Sequence, residues 1–375
     1  MLKLPGNAEQ FLDRHWQKAP LFMPQALGRI RPAVTRNELG WLATLEDVES
    51  RLVFTERNHS DDRVRYSAET GPFEPEYLNA LPKRDWTLLV HDVEKHLPVM
   101  RKLFAHVPFV PDWRIDDLMV SFAAPGGGVG PHRDNYDVFL CQGIGIREWN
   151  VATTDVADEP GASDDLALSQ PFDGRTLVAR EGDVLYLPPG VAHWGTAARA
   201  SITYSIGMRA PQLSDLLVEL PDREHTNPFY CDPDLQVEES IPGFISPNSV
   251  YRALRLIGRS NQNRDLASEA LGRYVTQTKD WITPEGTSTD EAENLLEALA
   301  HGVTFAVHGM GRMAWDERNV YVNGACRPRQ GEDSAWLESM CANRSLRGSP
   351  ALVDEASECL IWMLKMGAFE LPENL

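Results

Sequence analysis

Residues 113–210 carry a series of short apolar runs separated by glycine and proline, and this pattern restricts the fold more than any other feature. The runs stand at 117–122, 136–140, 147–151, 183–187 and 201–207. Their lengths are those of β-strands, and turn-forming residues stand between them. Several short strands in succession predict a mainly β core, built as a β-barrel or a jelly roll. The acidic insert 154–174 is predicted to be an exposed loop between two of these strands.

The flanking regions change to helical periodicity. Residues 8–18 predict a short amphipathic helix, and further helical patterns follow the β region at 213–220 and 249–281. Beyond these, a helix at 291–299, a hairpin at 303–322 and a helix at 349–366 together resemble a winged helix. We therefore predict three parts: the β core with its N-terminal helices, a helical region and a winged-helix-like domain, at 1–210, 211–285 and 286–375.

Charge and composition restrict the partners and the location. The chain has a formal net charge of −19, which argues against direct binding to DNA or RNA phosphates but suits a basic protein partner. No apolar run approaches the roughly 18 residues that a membrane-spanning helix needs. The N-terminus lacks the apolar core of a signal peptide, and the five cysteines are scattered. These features predict a cytoplasmic protein without a membrane segment.

Three residues form a candidate metal site. His132 and Asp134 are one residue apart, and on a β-strand both side chains would point the same way. His193 follows a Pro-Pro-Gly turn that fixes the backbone in front of it. Two histidines and one carboxylate, with coordination positions left open, are typical of non-haem Fe(II) oxygenases. A zinc site and a redox-inactive cupin module remain alternatives.

Arg147 is the candidate for binding an anion. It follows the glycine-rich turn 143–145 and begins a strand. If its guanidinium points into the barrel, it needs an anionic partner, because an unpaired buried charge is very costly. A dicarboxylate cosubstrate would supply that partner through a bidentate contact. Ser121, on a preceding strand, could add a hydrogen bond from the same face. The alternative is that Arg147 lies on the outer surface of its strand.

Several long motifs follow one another in an order that resembles the bacterial JmjC-domain ribosomal oxygenases. The N-terminal motif is Phe-Leu-x-Arg-His-Trp-Gln-Lys, and the C-terminal one is Val-Tyr-Val-Asn-Gly. Between them lie the motifs that contain the candidate metal ligands. Together the matching segments, which span nearly the whole chain, are 11–18, 111–122, 125–139, 182–193, 204–211 and 320–324.

The resemblance implies a fold and an activity. The expected fold is a JmjC double-stranded β-helix, which is a cupin-like jelly roll, followed by a helical dimerisation region and a C-terminal winged helix. The expected enzyme is a homodimeric dioxygenase that uses Fe(II), 2-oxoglutarate and O2 to hydroxylate an arginine side chain of large-subunit ribosomal protein sixteen. His132, Asp134 and His193 then fall on the metal ligands. Arg147 falls on the residue that holds the far carboxylate of 2-oxoglutarate, and Ser121 lies on a strand lining that pocket.

A target arginine would need acidic partners, because its guanidinium is always charged. Asp116 and Asp117 alternate faces, so only one of them can point into the pocket. Tyr136 could pack flat against the guanidinium, and Met119 belongs to the same predicted substrate-binding set. The two aspartates could instead form a solvated strand end. A histidyl hydroxylase, a lysyl demethylase and a non-enzymatic cupin-like module remain alternative functions.

Overall fold

The computed structural model describes residues 1–31, 33–57, 64–154, 156, 172–216, 229–257, 264–331 and 334–371. Contacts divide the chain into two compact units. The first consists of Met1–Val107 and Ile115–Met208, and the second of Pro108–Arg114 and Arg209–Leu375. The boundaries of the three predicted parts stay a prediction. Most of the predicted loop 154–174 lies outside the described residues, as do residues 217–220 and 258–263 of the predicted helical region.

The first unit is built from eleven described strands, and every pairing between them is antiparallel. Eight strands form one sheet in the order β1-β9-β6-β11-β5-β4-β2-β3, and three form a second sheet in the order β10-β7-β8. A mainly β core is therefore confirmed. The strands are β1 Leu21–Met23, β2 Ser50–Arg57, β3 Val64–Thr70, β4 Trp86–Val90, β5 Ile115–Ala123, β6 Val138–Gln142, β7 Ile146–Val151, β8 Arg175–Arg180, β9 Val184–Leu187, β10 His193–Arg199 and β11 Ser201–Met208.

Helices of the first unit are short. They are α1 Ala8–Arg14, α2 Arg36–Leu42, α3 Pro75–Asn79 and α4 Val93–His96, followed by a 3-10 segment at Pro98–His106. The Asn7 side chain accepts a hydrogen bond from Gln10 N and caps the start of α1. The helix predicted over 8–18 ends at residue 14, and three residues later Gln17 has a left-handed φ of 53° that a continuing helix does not allow.

Side-chain alternation on the two central strands separates a core face from a cavity face. On β11, Ile202, Tyr204 and Ile206 are buried, while the intervening residues Thr203, Ser205 and Gly207 line a cavity. On β5, which pairs with β11, Asp117, Met119 and Ser121 line the same cavity. Because side chains alternate between the two faces of a strand, these residues of both strands face one space.

The second unit combines helices with two small sheets. Strand β12 pairs with β16, and β13, β14 and β15 form a three-stranded sheet. A capping box between Ser288 and Glu291 begins α8. The elements are α5 Leu213–Leu216, α6 Pro247–Ile257, α7 Arg264–Thr276, α8 Thr289–Ala300, β12 Thr304–Ala306, β13 Met313–Trp315, β14 Asn319–Val322, β15 Ala325–Pro328, α9 Ser334–Asn343, β16 Ser345–Arg347 and α10 Pro350–Lys365.

The hairpin predicted over 303–322 is only partly present. Strands β13 and β14 pair as expected, but β12 pairs with β16, which follows α9. The apolar pattern identifies strands without identifying their partners, and here the partner is distant in sequence. Residues of α8, α9, α10 and the neighbouring strands form one hydrophobic core, and Leu299, Phe305, Leu337 and Leu360 are among its fully buried members. No described helix is both long enough and apolar enough to cross a membrane.

Candidate active site

His132, Asp134 and His193 come together as the sequence predicts. One ligand atom from each lies within 4.8 Å of the other two. His132 Nε2 is 3.9 Å from Asp134 Oδ1, and His193 Nε2 is 3.6 Å from Asp134 Oδ2. The donor set of two imidazoles and one carboxylate is that of the facial triad, which suits Fe(II) and leaves other coordination positions open. The residues present therefore fit a ferrous ion.

Backbone pairing brings the two histidines together. His132 N donates to His193 O at 3.0 Å, and His193 N donates to His132 O at 2.9 Å. Asp134 lies in the loop before β6, where its carbonyl accepts the Gly190 N–H at 2.8 Å. The expectation that His132 and Asp134 share a strand is wrong. Pro131 has no N–H to donate, and His132 makes only an isolated bridge.

Each histidine is oriented by its own backbone. His132 Nδ1 is 3.0 Å from Gly130 O, and His193 Nδ1 is 3.0 Å from Val191 O. Because a carbonyl oxygen only accepts, both Nδ1 atoms carry the hydrogen, and both Nε2 lone pairs are left for a metal. Burial lowers the pKa of His193 well below its usual value, and the neighbouring His132 lowers it further. Burial also raises the pKa of Asp134, an effect that His132 opposes.

A cavity of about 530 Å³ opens beside these three residues, within the first unit. Strands of both sheets enclose it, because its lining comes from β2–β7, β10 and β11 as well as from the loop that carries Asp134. This volume is in the usual range of small-molecule sites. A metal bound by the triad would therefore face a space large enough for a cosubstrate and a substrate side chain.

Arg147 lies on the cavity wall and is buried, with 2% of its surface exposed. Its Nη1 donates to Ser121 Oγ at 3.4 Å, and its guanidinium lies 4.7 Å from the centre of the Trp149 ring. Nε is buried without a hydrogen-bond partner, and no carboxylate of the described chain pairs with the guanidinium. Burial lowers the pKa of Arg147 to about 10, which leaves it charged at neutral pH. An anionic ligand would complete this pairing.

Gly195 allows Arg147 and Trp149 to occupy these positions. It pairs with Trp149 across β10 and β7. A Cβ atom at residue 195 would lie 2.6 Å from the Trp149 ring and 2.8 Å from Arg147 Nε. Only glycine leaves room for both side chains. The alternative that Arg147 lies on the outer surface of its strand is therefore wrong.

Of the predicted substrate-binding residues, Asp117, Met119 and Tyr136 line the cavity, and Asp116 does not. The choice between the two aspartates is thus decided by the strand alternation of β5. The Tyr136 hydroxyl donates a hydrogen bond to Asp134, and burial, followed by the charge of Asp134, raises its pKa. The roles assigned to these side chains stay predictions.

Sequence reasoning missed several cavity residues. Thr203 and Ser205 lie on a strand that was identified, so its alternation could have revealed them once its inner face was known. Arg51 and Tyr66 lie on β2 and β3, between the recognised motifs at 11–18 and 111–122, and no local sequence pattern identifies them as cavity residues. His91 follows β4 and is likewise unmarked. Only the folded sheet brings these residues to the cavity.

Comparisons with known proteins agree with this architecture. Residues 102–216 match the model of the JmjC domain, and residues 259–364 match that of the ROXA-like winged helix. A ribosomal protein uL16 3-hydroxylase of Escherichia coli is 32% identical over 332 residues, which cover 86% of each chain. A probable ribosomal oxygenase of Haemophilus influenzae is 36% identical over 242 residues, covering 62% of this chain and 55% of that protein.

Solved structures extend the similarity to the whole chain. The crystal structure of the E. coli ribosomal oxygenase YcfD superposes with a TM-score of 0.71 at 27% identity, covering 99% of both chains. A structure of YcfD in complex with cobalt and 2-oxoglutarate gives 0.68 at 28% identity, with the same coverage. The predicted JmjC jelly roll and the predicted C-terminal winged helix are thereby confirmed.

Proposed function

This chain belongs to the JmjC-domain ribosomal oxygenases, and from that premise we propose that it hydroxylates an arginine side chain of large-subunit ribosomal protein uL16. It is a 2-oxoglutarate-dependent dioxygenase, as the sequence predicted, and this excludes the alternative of a non-enzymatic cupin-like module. The observation that carries the proposal is one cavity with the metal-ligand set His132, Asp134 and His193 on its wall and the buried, unpaired Arg147 beside it.

The metal and the cosubstrate bind to neighbouring residues of the cavity wall in this proposal. His132, Asp134 and His193 hold Fe(II), and Arg147 pairs with the far carboxylate of 2-oxoglutarate while Ser121 supports its guanidinium. When bound, the iron, together with 2-oxoglutarate and O2, supplies the oxidising power to hydroxylate an unactivated C–H bond. The protein's own residues bind and orient the cosubstrate and the substrate, and they exclude water from the site.

The substrate side chain would be recognised by other residues of the same cavity. Asp117 is the one acidic residue among the described cavity-lining side chains that is not also a candidate metal ligand. Its carboxylate would accept hydrogen bonds from a guanidinium, which donates in a planar fork. Tyr136, which is 39% exposed, offers a ring face to the same group, and Met119 adds an apolar contact. These three side chains favour a long cationic target over a neutral imidazole.

The test is hydroxylation in vitro. Purified protein is incubated with Fe(II), 2-oxoglutarate, O2 and uL16, and the product is analysed by intact mass spectrometry and peptide fragmentation. We expect the mass of one oxygen atom to be added to an arginine of uL16. A His132→Ala variant and a reaction without 2-oxoglutarate are the controls. Oxygen on a histidine, or loss of a methyl group from a lysine, would favour the alternative enzymes instead.

The same premise extends to assembly and location. We propose that the chain is a cytoplasmic homodimer whose pairing surface lies in the helical region 211–285. Its substrate is a basic protein, which suits the net charge of −19, and direct binding to DNA is not expected.

A further inference from the structure

The carboxylate of Asp117 is held from one side. Its Oδ2 lies 3.0 Å from His91 Nδ1 and accepts the backbone N–H of Asp92 at 3.3 Å. A carboxylate oxygen only accepts, so the hydrogen between it and the imidazole belongs to His91 Nδ1. In the described part of the chain, both hydrogen bonds to Asp117 end on Oδ2. Its second oxygen, Oδ1, is left for another donor.

Oδ1 borders a slot that a glycine keeps open. A Cβ atom at Gly207 would lie 3.2 Å from Asp117 Oδ1 and 4.0 Å from Cε2 of the Tyr136 ring. A carboxylate oxygen and an aromatic carbon therefore both border the space next to Gly207. A flat cation fits such a slot, because it can donate in its own plane and present its face to the ring.

The position of His91 follows from the strand pairing. Strands β4 and β5 are antiparallel, with Val90 opposite Val120, so residue 91 lies diagonally across from residue 117. The residues that follow His91 are also held in place by a buried ion pair. Asp92 forms an ion pair with Lys95 at 2.6 Å, and both side chains are buried. This lysine is therefore paired with Asp92 rather than with the cavity carboxylate.

A second buried acid stands behind the first. Glu94 Oε2 accepts the backbone N–H of Leu118 at 2.9 Å, and Glu94 is 2% exposed. Burial, and then the charge of Asp117, raises the pKa of Glu94. The wall behind the slot thus holds two carboxyl groups that interact with each other.

We propose that His91 is a positioning residue for substrate recognition: its Nδ1–H fixes Oδ2 of Asp117 so that Oδ1 faces the slot at Gly207 and receives a guanidinium. This inference rests on the proposed function, since it assumes that the target side chain is an arginine. It assigns a role to a cavity residue outside the metal-ligand and cosubstrate sets. His91 acts through Asp117 and does not touch the reacting atoms.

The test measures KM and kcat for uL16 at saturating 2-oxoglutarate. We expect His91→Ala to raise KM about tenfold, because it removes a hydrogen bond to a charged group, while kcat changes little. His91→Asn keeps a donor near the Nδ1 position and should recover most of the loss. His91→Gln places its donor one carbon farther away and should not. His106→Ala, a half-buried histidine of the same unit outside this cavity, is the matched control and should keep the wild-type KM.

A double variant separates positioning from direct contact. If His91 acts through Asp117, His91→Ala should have no further effect on KM in an Asp117→Ala background. Additive effects, a wild-type KM for His91→Ala, or equal KM values for the Asn and Gln variants would overturn the inference. If His91→Ala does not fold, the difference in KM between His91→Asn and His91→Gln still tests the inference.

A second readout is the absorption of the Fe(II)–2-oxoglutarate complex. Without oxygen, this complex in such an enzyme gives a charge-transfer band in the visible range, which can be followed by titration. The His91 variants should titrate as the wild type does, because a positioning role at the substrate slot leaves this complex intact. A general loss of the band would mean that His91 is structural, which contradicts the inference. If the wild type modifies no arginine of uL16, the proposed function fails. If it modifies arginine with a KM that His91→Ala leaves unchanged, only this inference fails.

Discussion

At the scale of single residues, the site depends on one buried charge and on the glycine beside it. Arg147 has lost its hydration without gaining a carboxylate partner in the described chain, and its guanidinium is held by the Trp149 ring and Ser121. Burying an unpaired charge costs several kcal/mol, and a bound carboxylate would offset part of that cost. The dicarboxylate cosubstrate is the ligand that fits this need.

Gly195→Ala should weaken cosubstrate binding without touching any metal ligand. The new Cβ would lie closer than 3.0 Å to both the Trp149 ring and Arg147 Nε, so one of them must move. Overpacking of this kind costs about 1–3 kcal/mol. We expect the half-saturating concentration of 2-oxoglutarate to rise about tenfold in an anaerobic titration with Fe(II). Thr196→Ala, the next residue on the strand and outside the cavity lining, is the control. An unchanged titration for Gly195→Ala would contradict the role given to the glycine.

Residue types and spacing were sufficient to predict that His132, Asp134 and His193 come together, because few arrangements of side chains bind iron. For Arg147 they left a surface position open, and only the structure places it on the cavity wall. They were not sufficient for His91. A lone histidine after a strand has many uses, and its proximity to Asp117 depends on which strands pair. Contacts that form across the sheet leave no periodic mark in the sequence.

At the scale of elements, α4 inserts an acid into the interior beside β5. Burial raises the pKa of Glu94 to about 7, and the charge of Asp117 adds to the shift, while Arg101 opposes it. In the unfolded chain this group ionises near 4.5. Between these two values the folded protein binds a proton that the unfolded chain has lost. The free energy of unfolding therefore falls as the pH rises from about 4.5 to about 7.

Glu94→Gln should remove this part of the pH dependence, since the amide oxygen can still accept the Leu118 N–H. We expect the variant to be more stable than the wild type at about pH 8, by up to about 3 kcal/mol. The advantage should shrink at about pH 5.5. Urea unfolding followed by circular dichroism at both pH values measures the difference. Glu76→Gln, at an exposed position, should show no such dependence. A constant difference for Glu94→Gln would mean that its carboxyl does not titrate in this range.

The sequence predicted elements better than it predicted their partners. The β runs predicted within 113–210 and the helices predicted at 291–299 and 349–366 appear close to where the pattern placed them, because alternation and helical periodicity are local properties. Strands β8 and β10 and helix α9 were not predicted. The pairing of β12 with β16 was missed, since strand partners are chosen by the packing of the whole unit. The same limit explains why β2 and β3 were not recognised as cavity walls.

At the scale of the whole molecule, the negative charge and the exposed aromatics are the features that bear on partners. Tyr251 and Trp281, in the predicted dimerisation region, are 59% and 56% exposed. Large aromatic side chains are enriched in the buried centres of protein interfaces. These two residues are therefore the natural candidates for burial between two copies of the chain.

The proposed homodimer should be visible by sedimentation velocity. We expect the mass of a dimer for the wild type and a shift towards the monomer for a Tyr251→Ser/Trp281→Ser double variant, because aromatic anchors typically contribute about 2 kcal/mol or more each. Trp41→Ser changes a tryptophan of the first unit that is 54% exposed, and it should leave the mass unchanged. A monomeric wild type would refute the dimer. A dimeric double variant would place the interface elsewhere.

The two metal-binding imidazoles take their direction from carbonyls two positions upstream, Gly130 and Val191. Main-chain atoms persist whatever side chain they carry. Replacing the side chains around the two imidazoles therefore leaves both of these hydrogen bonds in place, provided that the main chain keeps its path. The orientation of the histidines for iron is in this sense independent of the residues that select the substrate.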